Sequence, residues 1–164
     1  HADEIVSFGG AELAGELQAL SADHLLHASD TGIQAMAENH VVATLLPLTA
    51  FTLREPYARG REMIDRGCAV ALATDLNPGS CCSGSIPLTF ALACIYMNLS
   101  VEEAITAMTL NGAAAIGRAD RIGSIEVGKQ GHLVVLAADT PAILPYYTGM
   151  NAVRNTIKRG KIIY

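Results

Sequence analysis

The run Val70-Ala71-Leu72-Ala73-Thr74, ending on Asp75 and passing straight into Leu76-Asn77-Pro78-Gly79-Ser80, constrains this chain more than any other feature. An uninterrupted uncharged run of this length reads as a strand covered on both faces, the habit of parallel sheets in α/β proteins. The strand stops on a carboxylate and breaks at once into turn residues. Rigidity then comes from the strand and access from the loop, which is how a parallel α/β barrel presents a catalytic group. Taken alone, Asp75 could equally cap the turn that follows it.

The rest of the chain supplies the rhythm that such a strand needs. Ala11 to Leu20 carries Leu13, Leu17 and Leu20 at helical spacing, with Glu12 and Glu16 on the other face,. Ala22 to Leu25 reads as a short strand near His24. Ser29 is an N-cap for a helix through Asn39 with Ile33, Met36 and Ala37 inward,. Val41 to Leu46 reads as a strand ended by Pro47, and a helix follows from about Pro56 to Arg66, stopped by Gly67,. After the Asp75 loop come an apolar helix from Ile86 to Met97 and a capping box, Ser100 with Glu103, opening a helix to Gly112 or beyond,. Strand and helix alternating over short connections give a parallel α/β fold. Beyond Gly117 the pattern changes: Leu133 to Ala137 is a strand, and Asn155 to Lys158 and Lys161 to Tyr164 are arms of a hairpin across Arg159-Gly160.

Two segments upstream of Asp75 place histidine beside carboxylate just before a helical stretch. They are His1-Ala2-Asp3-Glu4 and Ser21-Ala22-Asp23-His24. Three successive units would bring His1, His24 and Asp75 to one rim. Imidazole nitrogen and carboxylate oxygen are the ligands of a catalytic zinc or iron that keeps a position open for water. Singly, His24 could be a strand-end residue bonded to backbone and His1 a terminal residue. His27 and His40 lie on or near a helix, where they cap it or face solvent, and are not assigned to a metal.

Several of these stretches together resemble the imidazolonepropionases, metal-dependent members of the amidohydrolase superfamily. They are His1-Ala2-Asp3-Glu4, Gly9-Gly10-Ala11-Glu12-Leu13-Ala14, Ser21-Ala22-Asp23-His24-Leu25, Leu45-Leu46-Pro47-x-Thr49-x-Phe51 and Ala71-Leu72-Ala73-Thr74-Asp75-x-Asn77-Pro78-Gly79-Ser80. Gly123-Ser124-Ile125-Glu126-x-Gly128-Lys129 and the strand after it resemble the exit of such a barrel into a small β domain, although Gly131-His132 stands where the family has Ala-Asp. The resemblance implies an α/β fold: the C-terminal part of a TIM-type (β/α)8 barrel over residues 1–117, then strands of a small β-sandwich domain over 118–164. It implies hydrolytic ring opening of 4-imidazolone-5-propanoate in histidine degradation, one divalent metal ion (zinc or iron), a cytoplasmic enzyme and a homodimer when intact.

The same resemblance assigns roles. His1 and Asp75 are metal ligands; Asp75, His24 and Glu4 are catalytic; Glu4, Asn77, Gly79 and Ser80 contact substrate. A barrel of this kind needs roughly 250 residues, so 164 residues that begin on His1 are expected to be a fragment. The family's His-x-His, which supplies two more ligands, does not occur in them, and the fragment alone is expected to be inactive. The competing readings are another cyclic-amide hydrolase or deaminase of the superfamily, and a non-catalytic scaffold fragment.

Composition excludes other classes. A net charge of −5 with scattered basic residues gives no nucleic-acid surface, and no apolar run is long enough to span a membrane,. Cys68, Cys81, Cys82 and Cys94 show neither Cys-x-x-Cys spacing nor a disulfide framework, which suits a reducing compartment,.

Overall fold

The computed structural model describes residues 1–164. Its centre is a parallel sheet in which β1 (Ser21–Asp23), β2 (Val42–Leu45) and β3 (Val70–Leu72) lie side by side in chain order. The register is Ala22 opposite Ala43 opposite Val70, and Asp23 opposite Thr44 opposite Ala71. A parallel bridge between Ala2 and His24 adds the first residues as a further rung outside β1. Because side chains alternate across a strand, Ala22, Ala43, Leu45, Val70 and Leu72 share one face. There they join Ile33, Met36, Met63 and Phe90 in the main core. Sequential parallel neighbours with helices between them are successive units of a (β/α) barrel.

The helices are α1 (Gly10–Glu16), α2 (Asp30–Glu38), α3 (Pro47–Leu53), α4 (Gly60–Asp65), α5 (Ile86–Tyr96), α6 (Val101–Met108) and α7 (Leu110–Ala115). Two of the sequence-level caps form as read. Ser29 accepts from the Gly32 N–H, and Ser100 with Glu103 completes both halves of a capping box. Gly67 adopts the left-handed conformation that ends α4,.

Other elements differ from the sequence reading. Pro47 does more than end a strand: it is the first residue of α3, a position where its missing N–H costs nothing,. The helix expected from Pro56 begins only at Gly60, and the one opened by Ser100 breaks at Thr109 (φ −115°, ψ −85°) before α7. The expected inner stripe of α1 is reversed. Leu13, Leu17 and Leu20 are exposed, while Ala11 and Gly15 are buried. Small residues win there because α1 lies almost backbone to backbone on α2, with Gly15 against Ala35 and Gly32 against Ala11.

The remaining residues form a second, antiparallel sheet of β4 (Leu133–Leu136), β5 (Val153–Lys158) and β6 (Lys161–Ile162). Arg159 and Gly160 both take positive φ, the two-residue turn that matches strand twist,. A short helix, α8 (Ile143–Tyr146), precedes β5 and packs on α5, with Leu144 against the main core. Three strands are seen here, where the resemblance implied part of a sandwich.

The α1–α2 contact gives a test with an unusual sign. In an exposed helix interior Gly→Ala is stabilising by about 1 kcal/mol. At Gly15 a Cβ would stand 2.9 Å from the Ala35 carbonyl carbon and its Cβ, so Gly15→Ala should destabilise by about 1 to 3 kcal/mol, the usual cost of overpacking. Denaturant melts of the two proteins measure it; a more stable variant would contradict the contact.

Candidate metal centre

The parallel register sends every strand of the first sheet out of the same end. His1 to Glu4, His24, the start of α3 and Asp75 all lie at that end, at or just beyond a strand or bridge. The chain must turn sharply at that rim, and Asp3 (φ 48°), His24 (φ 76°), Leu25 (φ 62°) and Asp75 (φ 53°) are left-handed. This costs a non-glycine residue on the order of 1 kcal/mol or more each. Ladder bonds hold the turn at His24: its N–H donates to the Thr44 carbonyl and that of Leu25 to the Ala2 carbonyl, both at 3.0 Å.

His1, Glu4 and His24 converge at this rim. His1 Nδ1 lies 2.9 Å from His24 Nε2 and 3.0 Å from Glu4 Oε2, and the two imidazoles stack with centroids 4.8 Å apart and planes inclined by 21°. Their burial is unequal. The His24 side chain is 3% exposed, that of Glu4 20% and that of His1 79%. His24 Nδ1 is buried without a hydrogen-bond partner; Glu4 Oε1 lies 3.6 Å away, beyond hydrogen-bond distance.

Two imidazole nitrogens and a carboxylate within 4.8 Å of one another form a donor set of the kind that takes a divalent cation,. The unpartnered nitrogen on a buried ring is a further sign of a site built for something more than internal bonding. The rim therefore carries nitrogen and oxygen donors of the type a divalent ion takes, His1 among them,.

Asp75 stands outside that triplet. Its Oδ2 accepts a 2.6 Å hydrogen bond from Thr49 Oγ1, and its backbone carbonyl accepts from Asn77 Nδ2 at 2.8 Å. Asn77 organises the loop: its Oδ1 accepts from the N–H groups of Gly79 and Ser80, its Nδ2 donates also to Ser80 Oγ, and its own N–H donates to the Cys81 carbonyl. Cys81 is buried under this loop and Cys82 is exposed. Neither thiol has a histidine among its hydrogen-bond partners. His27 and His40 take no part: His27 donates its N–H to the Asp3 carbonyl, and His40 is an exposed left-handed residue just past α2.

Two residues at the rim were given no role by the sequence reading. One is Thr49. The other is Asp3, whose carboxylate is buried and accepts from the N–H groups of Phe8 (2.7 Å), Gly10 (3.1 Å) and Ala11 (2.9 Å). Burial alone would push the Asp3 carboxyl up; the N–H groups of Phe8, Ala11, Gly10 and Gly9 outweigh it and hold it below the ordinary carboxylate value,. The signal was present in the sequence. A helix that opens on Gly9-Gly10 has no capping side chain of its own, so its free N–H groups need an acceptor from elsewhere,.

The chain belongs to the amidohydrolase family, which it matches over residues 6–163. Within that family it is 82% identical, over all 164 residues, to an imidazolonepropionase of Phocaeicola vulgatus, of which it covers 40%. It is 66% identical over 164 residues to an imidazolonepropionase of Clostridium tetani, covering 39% of it. Among solved structures, an adenosine deaminase from Xanthomonas campestris with bound zinc is 25% identical, with a TM-score of 0.80 over 90% of this chain and 38% of that one. The chain thus spans about 40% of the length of the curated relatives it matches.

Asp3 joins His1 and Glu4 to the start of α1, so its loss should be felt as stability. Asp3→Ala would strand three N–H donors, one of them fully buried, and should cost at least about 2 kcal/mol. Thermal melts of the two proteins decide it, and an unchanged transition would show that the loop does not depend on this carboxylate.

Proposed function

We propose that the protein is a metal-dependent cyclic-amide hydrolase that opens 4-imidazolone-5-propanoate to N-formimidoyl-L-glutamate in histidine degradation. The observation that carries the reading is 82% identity to an imidazolonepropionase along the whole chain, on a fold whose rim gathers His1, Glu4 and His24. His1 and Asp75 would hold one divalent ion, zinc or iron, with further ligands from the His-x-His that the family resemblance implies in the portion of the relatives this chain does not span. Such an ion supplies, when bound, a water acidified to a pKa of about 7.

The chain's own residues divide the remaining work. Water adds to the ring carbonyl carbon, the adjacent C–N bond breaks, and the departing nitrogen takes up a proton. Asp75 would hold the ion through Oδ1 and accept the water's proton at Oδ2, which keeps a second lone pair beside the Thr49 bond,. His24 donates from its buried ring to the oxygen that gains charge, an interaction strengthened by exclusion of water,. Glu4 reaches the substrate ring and moves a proton to the nitrogen. Asn77 shapes the loop so that Gly79 and Ser80 meet the substrate,.

The working environment follows from the same reading: a small-molecule substrate, no nucleic-acid partner at a net charge of −5, a cytoplasmic enzyme and a homodimer when intact. No helix is long and apolar enough to cross a membrane. The division at residue 117 between barrel and β domain belongs to the proposal too, supported by the change there from parallel to antiparallel pairing. A deaminase reading has the adenosine deaminase structure in its favour, but at 25% identity against 82% it is the weaker of the two.

The test is a hybrid in which these 164 residues replace the matching segment of the Phocaeicola vulgatus relative. It should open the ring of 4-imidazolone-5-propanoate and release no ammonia from adenosine; the opposite pattern would favour the deaminase, and neither activity in a metal-loaded hybrid would leave a scaffold. Asp75→Ala in that hybrid should lose at least about a hundredfold in turnover along with metal affinity, and near-normal activity at full metal content would remove Asp75 from the site. His24→Ala should keep its metal while losing about 3 to 4 kcal/mol of transition-state stabilisation. Metal analysis of the purified variant checks this, and metal lost in step with activity would make His24 a ligand.

A further inference from the structure

Thr49 is 2% exposed and lies in the first turn of α3, yet its hydroxyl does not serve its own helix. Three of the four other helical threonines do; the fourth, Thr31 of α2, donates to the Glu12 carboxylate. Thr52, Thr89 and Thr106 each donate to the carbonyl four residues back, at Leu48, Ser85 and Glu102, the ordinary local bond for this side chain. Thr49 instead reaches across 26 residues of sequence to Asp75 Oδ2 at 2.6 Å, a length typical of O–H donated to a charged carboxylate,. The element that carries it is anchored. Pro47 opens α3, and Leu48 is packed against Cys81 and Leu92 in a small cluster directly beneath the Asp75 loop.

Asp75 needs such a hold. It is left-handed at φ 53° at the tip of its strand, and Thr49 is the one side chain that hydrogen-bonds its carboxylate. The backbone is fixed separately, by Asn77 Nδ2 on the Asp75 carbonyl. A carboxylate with one oxygen tied is held in one rotamer, and Oδ1 has no hydrogen-bond partner of its own.

We infer that Thr49 is a positioning residue that, through its hydrogen bond to Oδ2, fixes the Asp75 carboxylate in the orientation used for metal holding and proton acceptance. The inference rests on the role proposed above for Asp75. Thr49→Val keeps the shape and removes the donor, while Thr49→Ser keeps the donor and loses one methyl.

In the zinc-loaded hybrid, Thr49→Val should lower kcat by about ten- to a hundredfold, the scale for partners that orient metal ligands, with KM changed by less than about threefold. Zinc retention against a chelator should fall by a comparable factor, and this readout is independent of turnover. Thr49→Ser should stay within about threefold of the parent in both. A Thr49→Val protein equal to the parent in turnover and zinc retention overturns the inference. A Thr49→Ser protein as impaired as Thr49→Val, or losses in both that only follow their melting temperatures, overturns it as well, because packing would then be the cause. Asp75→Ala run alongside separates the two levels. If it is inactive while Thr49→Val is active, only the positioning fails; if it is itself active, the proposed function of Asp75 fails and this inference with it.

Discussion

Everything at the rim depends on one set of backbone hydrogen bonds, the parallel ladder that runs from Ala2 through β1 and β2 to β3. In-register parallel pairing makes the strands finish at nearly the same level, so His24 and Asp75, 23 and 74 positions from His1 in the chain, leave the sheet at the same end as His1. The helical layer behind the sheet supplies the driving force. Ala22, Ala43, Leu45, Val70 and Leu72 are buried against Ile33, Met36, Met63 and Phe90, and burying apolar area at about 25 cal/mol per Å² offsets the cost of holding polar groups at the strand tips. A slip of one residue in β2 would exchange its faces, putting Thr44 into the helix-covered core and Leu45 on the polar side.

The ladder delivers backbone, and a second tier of bonds sets the side chains. Asp3 ties the loop after His1 to the start of α1, Thr49 ties Asp75 to α3, and Asn77 closes the loop behind Asp75. Each of these is spent on geometry. The group left without a partner is the chemically interesting one, the buried Nδ1 of His24. A polar atom left unpaired in a buried ring is costly, so its survival at the rim is consistent with a partner that arrives with metal, water or substrate.

The sequence made the sheet legible because its signal is local. Val70 to Thr74 and Val41 to Leu46 are apolar runs bounded by turn residues, and Ser29 and Ser100 carry capping chemistry that the structure reproduces. The sequence grouped His1, His24 and Asp75 at one rim, whereas the side chains that converge are His1, Glu4 and His24, with Asp75 outside that triplet. What escaped was set by partners far away in sequence. Leu13, Leu17 and Leu20 have a helical period, but no local rule says that Ala11 and Gly15 take the inner face because α2 offers Gly32 and Ala35 there. Pro47 carries two meanings, strand end and first residue of a helix, and only the packing of Leu48 on Leu92 and Cys81 selects both. Thr49 and Asp3 escaped for the same reason: their hydroxyl and carboxylate acquire a role only when residues 26 and 8 positions away are folded against them.

At the proposed site one rim would hold a single metal, with Asp75 and His1 as ligands and Glu4 and His24 at its side. Anomalous diffraction at the zinc edge from crystals of the metal-loaded hybrid addresses it most directly. The account expects one zinc peak about 2.0 to 2.2 Å from a His1 nitrogen and an Asp75 carboxylate oxygen, with Thr49 still bonded to the other Asp75 oxygen and neither Glu4 nor His24 at ligand distance. A peak held by His1, Glu4 and His24 with Asp75 turned away, or a zinc bound elsewhere in the molecule, would contradict it.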